Sequence, residues 1–345
     1  MPSRAFITGV AGTSLSAGER AFLRGAQPWG LIVFHRNVKS PAQLSDLVQS
    51  FRDCVGWEAP VLVDQEGGRV QRLGPPAWPA YPPGARYGAI YDRSEQTGVA
   101  TARLAGHLIA ADLRAVGIDV DCMPLADVPV AGADAVIGDR AYGTDPAKVA
   151  AIAAAIAEGL MAGGVLPVLK HLPGHGRAAA DSHQTLPVVD APRAALEATD
   201  FAAFRPLAGL PLGMTAHVVF SAIDPVAPAT TSVTMVREVI RGFIGFRGLL
   251  MSDDVSMGAL SGSLAERSGA ALAAGCDVVL HCNGDLREMG EVASVVPELA
   301  DEAAQRARAA LAARKAPEEF DVAAARKLFA QMVAGEIPAR GMSGT

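Results

Sequence analysis

The sequence predicts an α/β chain folded as a single (β/α)8 TIM barrel, on three observations. Eight short apolar runs rich in β-branched residues recur along the 345 residues. Segments of helical periodicity separate them, and ionisable residues follow several of the runs at the same end. Half of the residues are hydrophobic and 19% are charged, which supplies a large buried core and excludes disorder on that scale.

The eight runs are residues 5–8, 31–34, 61–63, 118–123, 166–169, 212–215, 249–251 and 278–280. Between them the helices carry their own punctuation. Ser40-Pro41-Ala42-Gln43 combines an N-cap, a proline at the first helical position and a capping-box glutamine, and Leu44, Leu47, Val48 and Phe51 then form one apolar stripe. Asp145-Pro146 opens another helix, with Val149, Ile152, Ile156 and Leu160 on one face until Gly163-Gly164 ends it. An open doubly wound sheet is the competing arrangement, but no G-x-G-x-x-G turn follows the first run. Two connections, 73–92 and 130–144, exceed a minimal unit and are expected to decorate the active face of the barrel. The expected organisation is a catalytic barrel over residues 1–315, then a C-terminal helix and flexible tail over 316–345.

Charge and cysteine usage narrow the partners. The formal net charge is -6 and the basic residues are scattered, so no nucleic-acid footprint exists. The N-terminus has only a very short apolar segment, and no stretch reaches the roughly 18 apolar residues of a membrane span. A cytoplasmic protein without a membrane partner is expected. The four cysteines, Cys54, Cys122, Cys276 and Cys282, include no C-x-x-C pair and read as buried thiols of a reducing compartment.

In a barrel the reactive groups sit at the C-terminal ends of the strands. Those ends carry Asp64-Gln65-Glu66 with Arg69, Lys170-His171 with His175, His217, Ser252-Asp253-Asp254, and His281. Five strands thus bring ionisable groups to one rim. After Pro173-Gly174-His175-Gly176 comes Asp181-Ser182-His183, whose carboxylate and imidazole meet if the loop is extended. The Asp then orients the ring and favours its protonated form, giving an acid usable near neutral pH. Of the two adjacent carboxylates Asp253 and Asp254, strand alternation lets one face a ligand. His175 and His217 are expected to line or brace the pocket, while His35, His107 and His281 are given no role.

The runs from Asp64 to Arg72, from Lys170 to Gly176 with Asp181-Ser182-His183, and from Ser252 to Met257 resemble the bacterial β-N-acetylglucosaminidases of glycoside hydrolase family 3. The likeness extends over about residues 30–283, with Leu172 where the family usually has Phe and Val255 where Leu is common. It implies a retaining exo-hydrolase with Asp253 as nucleophile and His183, tuned by Asp181, as acid and base. It also implies sugar-binding roles for Asp64, Arg72, Arg140, Lys170 and His171, and a loop that closes over the substrate, helped by Gly174 and Gly176. By the same resemblance the substrate is a cell-wall fragment, N-acetylglucosamine joined to anhydro-N-acetylmuramic acid with or without peptide, recycled in the cytoplasm by a monomer that needs no metal or cofactor. Arg140 taken alone reads equally well as a structural ion-pair partner.

Four rivals share these residues. A metal-dependent barrel hydrolase would use His and Asp at strand ends, although the chain has no H-E-x-x-H helix. A Schiff-base lyase would use Lys170. A non-catalytic sugar-binding barrel would use the same pocket without turnover. Within the glycosidase class, phosphorolysis is open because a His base repels phosphate less than a carboxylate does.

Overall fold

Alternation along the short runs decides the architecture, because successive side chains of a strand face opposite sides of its sheet. The computed structural model describes residues 3–336. Its principal strands are β1 Arg4–Thr8, β2 Pro28–Val33, β3 Val61–Val63, β4 Val120–Asp121, β5 Leu166–Leu172, β6 Leu212–Thr215, β7 Leu249–Asp254 and β8 Val278–His281. All pair in parallel with their sequence neighbours, and β1 pairs with both β2 and β8, which closes the barrel. Each of the eight predicted runs contains one of these strands or overlaps it. The shortest, β4, is two residues long, where the sequence suggests six.

Ile7, Ile32, Leu62, Val120, Val168, Met214, Met251 and Leu280 fill the barrel interior. Their strand neighbours Phe6, Leu31, Val61, Leu169, Leu250 and Val279 face outward and pack under the helices. Every one of these side chains is essentially excluded from water, and each such burial contributes roughly 1.5–3 kcal/mol before entropy is counted. The interior is therefore a solid plug, and Ile32, Met214 and Leu280 at its upper end form the floor of a cavity.

The surrounding helices are α1 Ala17–Ala26, α2 Pro41–Val55, α3 Gly84–Arg93, α4 Glu95–Arg114, α5 Pro146–Ala162, α6 Arg193–Ala198, a π-helical segment Met235–Ile244, then α7 Leu264–Ala274, α8 Leu286–Val295, α9 Asp301–Ala312 and α10 Val322–Ala334. Helix α2 begins as its sequence predicts, with Ser40 accepting the Gln43 N–H. The Gln43 side chain, however, accepts from the N–H of Lys39 rather than of Ser40, one residue beyond a capping box. Helix α5 is capped by Asp145 and ends at Gly163.

The connection 73–92 runs differently from expectation. None of its residues lines the cavity among the barrel's strand ends. Its Tyr81 instead donates to Asp112 of α4 at 2.7 Å, Arg326 of α10 bonds the same carboxylate, and the rings of Tyr81 and Phe329 lie 6.0 Å apart. The segment is the seat of the C-terminal helix. The predicted flexible tail beyond residue 336 lies outside the described residues. No helix among them is long and apolar enough to cross a membrane.

Candidate active site

Strand β3 ends at Val63, and the next residues turn back in a hairpin of Gln65–Gly67 against Val70–Gln71. The buried Gln65 amide fixes that turn: its oxygen accepts the N–H groups of Arg72 and Leu73 at 3.0 Å, and its nitrogen donates to the Leu73 carbonyl at 2.7 Å. Arg72 is thereby returned to Asp64, whose carboxylate accepts from its guanidinium at 3.0 Å. From β5, the ammonium of Lys170 reaches Asp64 at 2.9 Å and Glu66 at 2.6 Å. Arg140, on the loop after β4, forks onto both oxygens of Glu66 at 2.8 and 2.9 Å.

Three cations and two carboxylates therefore alternate along one wall, leaving one positive charge in excess. Lys170 is only 2% exposed. Burial alone would raise the Asp64 carboxyl, but Lys170 and then Arg72 hold it well below the ordinary carboxylate range. Lys170 and Arg140 hold Glu66 down in the same way. Burial would lower Lys170, but Asp64 and Glu66 raise it. Each partner keeps the others ionised, which is the condition under which buried charges persist.

Beside this wall, the Lys170–His171 peptide is cis and the His171 ring lines the cavity. Its Nδ1 lies 2.7 Å from the fully buried carboxylate of Asp127. Asp127 also accepts the N–H of His175 at 2.7 Å. Burial would raise Asp127, yet His171 above all keeps it down at about 2. An ionised Asp127 requires Nδ1–H on His171 and so presents Nε2 to the cavity.

Opposite, β7 delivers Asp253. Ser252 anchors the strand end by accepting the Leu280 N–H at 2.9 Å. Asp253 accepts the N–H of Asp254 at 2.8 Å and has no other hydrogen-bond partner among the described residues. Burial would raise its carboxyl, but His217, His171, the Asp254 N–H and His183 together keep it below the ordinary value. Both Asp253 and Asp254 line the cavity, contrary to simple alternation, because the register between β7 and β8 breaks between Met251 and Asp254. They are not equivalent. Asp254 accepts from the Ser256 N–H and hydroxyl at 3.0 and 2.7 Å and from the Cys282 N–H at 3.2 Å, so it braces two loops while Asp253 stays open to a ligand.

The Asp181–His183 pair forms, with His183 Nδ1 2.8 Å from Asp181 Oδ1, but not through an extended loop. Asp181 also accepts the backbone N–H of His183 at 2.9 Å and its carbonyl accepts from Gln184 and Thr185, a tight Asx turn that brings ring and carboxylate together. These bonds to His183 lower the Asp181 carboxyl against the upward pull of its burial. The side chain of His183 is 65% exposed, yet it borders the cavity. All eight predicted site residues, Asp64, Arg72, Arg140, Lys170, His171, Asp181, His183 and Asp253, line this one space of about 400 Å³.

The histidines at two of the five expected strand ends do not line the cavity. His217 is buried, its Nε2–H donating to the Asp254 carbonyl at 3.0 Å and its Nδ1 facing Thr230 at 2.7 Å, so it braces the β7 end. His281, also buried, sits 3.1 Å from Glu288. Nor are all the thiols buried, since Cys282 is part-exposed and lines the cavity. The glycine at 176 answers a packing demand: a Cβ there would stand 2.1 Å from the Val128 carbonyl oxygen.

The glycosyl hydrolase family 3 N-terminal domain matches residues 10–313. The chain belongs to glycosyl hydrolase family 3. A relative from Alkalilimnicola ehrlichii, named beta-hexosaminidase, is 43% identical over 281 residues, covering 80% of this chain and 79% of its own. A beta-hexosaminidase of Bordetella avium is 36% identical over 310 residues, covering 89% and 85%. Among solved structures, native NagZ from Neisseria gonorrhoeae superposes with a TM-score of 0.84 at 31% identity over 97% of each chain. The same enzyme in complex with N-trifluoroacetyl-D-glucosamine gives 0.83 at 31% over the same shares.

Sequence reasoning gave no role to Glu66 or Asp127. Glu66 stands inside a quoted motif, and its charge two residues from Asp64 is a signal in principle. Asp127 has no local signal, since its partners His171 and His175 lie more than forty residues away.

Proposed function

We propose that this family 3 chain is a retaining exo-β-N-acetylglucosaminidase that hydrolyses terminal β-linked N-acetylglucosamine. The observation that carries the reading is the convergence of Asp253, the Asp181–His183 pair and the Asp64–Lys170–Glu66–Arg140 wall on one blind cavity. Its volume falls in the range of small-molecule sites, roughly 300–1,000 Å³. A floor closed by the barrel plug suits the end of a sugar chain rather than its middle.

In the first step a carboxylate oxygen of Asp253 attacks the anomeric carbon as the glycosidic C–O bond breaks, and the Nε2–H of His183 gives its proton to the leaving oxygen. Asp181 stabilises the imidazolium and fixes its tautomer. In the second step neutral His183 takes a proton from water, the water oxygen attacks the same carbon, and the bond to Asp253 breaks with net retention. Asp64, with Arg72 and Lys170 around it, accepts from sugar hydroxyls, and Arg140 and His171 complete the polar wall. Turnover of a chromogenic N-acetylglucosaminide would separate this from a binding-only barrel.

For the natural substrate, the family resemblance supports N-acetylglucosaminyl anhydro-muropeptides, met in the cytoplasm. The solved family 3 structure that holds N-trifluoroacetyl-D-glucosamine supports a site for the N-acylated sugar. The deciding experiment is NMR of the first-formed sugar: the β-anomer is expected, and the α-anomer overturns retention. One observation favours a second reading, since a His acid–base repels phosphate less than a carboxylate would. Formation of sugar-1-phosphate in phosphate buffer would make the chain a phosphorylase on the same site. Among the described residues no group of three or more His, Cys, Asp or Glu is placed to hold a metal ion; activity lost in EDTA and restored by metal would support the metal-dependent rival.

A further inference from the structure

The turn that carries Asp181 and His183 is exposed, yet its middle residue is not. The side chains of Asp181 and His183 are 27% and 65% exposed, whereas Ser182 is 3% exposed. Its hydroxyl lies 3.0 Å from Nε2 of His175, a ring buried to the same degree. The other nitrogen of that ring is buried and has no partner among the described residues. A cationic His175 would leave that second N–H unpaired, so the contact is made by a neutral ring. Beneath it, the His175 backbone N–H donates to Asp127, whose other oxygen holds His171 on the cavity wall.

The turn is fastened from the far side as well. Gly258 and Ala259, in the loop that follows Asp253, donate their N–H groups to the carbonyls of His183 and Ser182 at 3.1 Å each. Only glycine permits that approach. A Cβ at 258 would stand 2.7 Å from the Gln184 carbonyl oxygen and 2.9 Å from that of His183.

We infer that Ser182 and His175 form a buried latch that positions the Asp181–His183 pair over the cavity, with Asp127 tying the latch to His171 and Gly258 closing it from the β7 side. Neither Ser182 nor His175 lines the cavity, so both act through His183 and are positioning residues. The inference rests on the acid–base role of His183 proposed above. Proton transfer in the first step requires the donor within hydrogen-bond reach of the leaving oxygen, and a displacement of about 1 Å costs on the order of a hundredfold.

The test compares kcat/KM, which reports attack by Asp253, for an unactivated N-acetylglucosaminyl disaccharide and for an aryl glycoside whose leaving group needs no proton. Ser182→Ala is expected to lower the first by about 10- to 100-fold and the second by less than about twofold, with an unchanged melting temperature. Gly258→Ala, which keeps the hydroxyl but pushes on the turn, is expected to show the same selectivity and decides the matter should the Ser182 variant misfold. Equal losses on both substrates, or no loss on either, would overturn the latch. His183→Ala run beside them separates the two levels. If it too lacks selectivity, the acid–base reading has failed; if it alone is selective, only the latch has.

Discussion

At the ends of β3 and β5, Asp64, Glu66, Lys170 and Arg140 are largely or wholly withdrawn from water and bonded to one another, whereas His183, on the loop after β5, sits on an exposed turn, bonded through its side chain to Asp181. The first wall is organised before any sugar arrives. Its charges hold each other in place, and removing one takes a partner from its neighbours in a dry environment. The second wall is held by a few hydrogen bonds along a turn, which lets the proton donor change charge twice per cycle without disturbing the fold. On the proposed mechanism, binding falls to the rigid wall and proton transfer to the adjustable one, with Asp253 held at the end of β7.

The division is broken most severely at its centre. Asp253→Ala is expected to lower kcat by about 10⁴-fold or more, as removal of a nucleophile does, with the melting temperature retained; steady-state assay with a chromogenic N-acetylglucosaminide checks it. Next, His183→Ala should lower the rate on poor leaving groups by roughly 10²–10⁴-fold and that on good ones far less, since the adjustable wall supplies the proton and little binding. A leaving-group series measures this, and a uniform loss would erase the proposed contrast between the walls.

The rigid wall fails in another currency. Lys170→Met removes the cation that Asp64 and Glu66 share and leaves each with one arginine; by the cost of breaking buried ion pairs it should destabilise the fold by up to about 3–5 kcal/mol, read by urea denaturation. A comparable loss on replacing His183 would mean that the two walls are not built differently.

The smallest effect lies in the pH dependence of stability. Burial first, and then the neighbouring His171, lowers the His175 ring from its ordinary value to about 4. Between pH 6.5 and 4 the unfolded chain then binds a proton at this site that the folded chain does not. The contribution is fully present above about pH 6.5 and is lost as pH falls toward 4. His175→Gln should therefore flatten the decline in stability over that window by up to about 3 kcal/mol, as measured by denaturation at a series of pH values. His107 and His217, which burial also lowers, keep the rest of the slope.

The barrel was legible because its cause is local. Alternating apolar runs such as Leu31 to Val33 and Leu249 to Met251 dictate an inner and an outer face whatever the remainder of the chain does. That motif residues would meet at one cavity was legible too, since Asp64, Lys170 and Asp253 lie at or beside the C-terminal ends of strands whose direction the barrel fixes. What local pattern does not hold is the partner. His217 and His281 also end strands, but Thr230 and Glu288 hold them away from the cavity, and their identity comes only with the fold. Asp127 is the converse case, an unremarkable loop residue in sequence whose burial beneath His171 makes it a support of the site. The connection 73–92 looked like an active-face insertion because it is long and rich in proline and glycine; its apolar residues are instead covered by α10, more than two hundred residues downstream.

On the proposed mechanism, Asp253 is the nucleophile that takes the sugar. Incubation with a fluorinated N-acetylglucosaminide, which forms its covalent adduct quickly and loses it slowly, followed by proteolysis and mass spectrometry, tests this directly. A label on Asp253, within the peptide that spans Ser252 to Val255, is the predicted result. A label on Asp64, Asp181 or any other carboxylate, or rapid turnover of the reagent with inversion and no adduct, would contradict it.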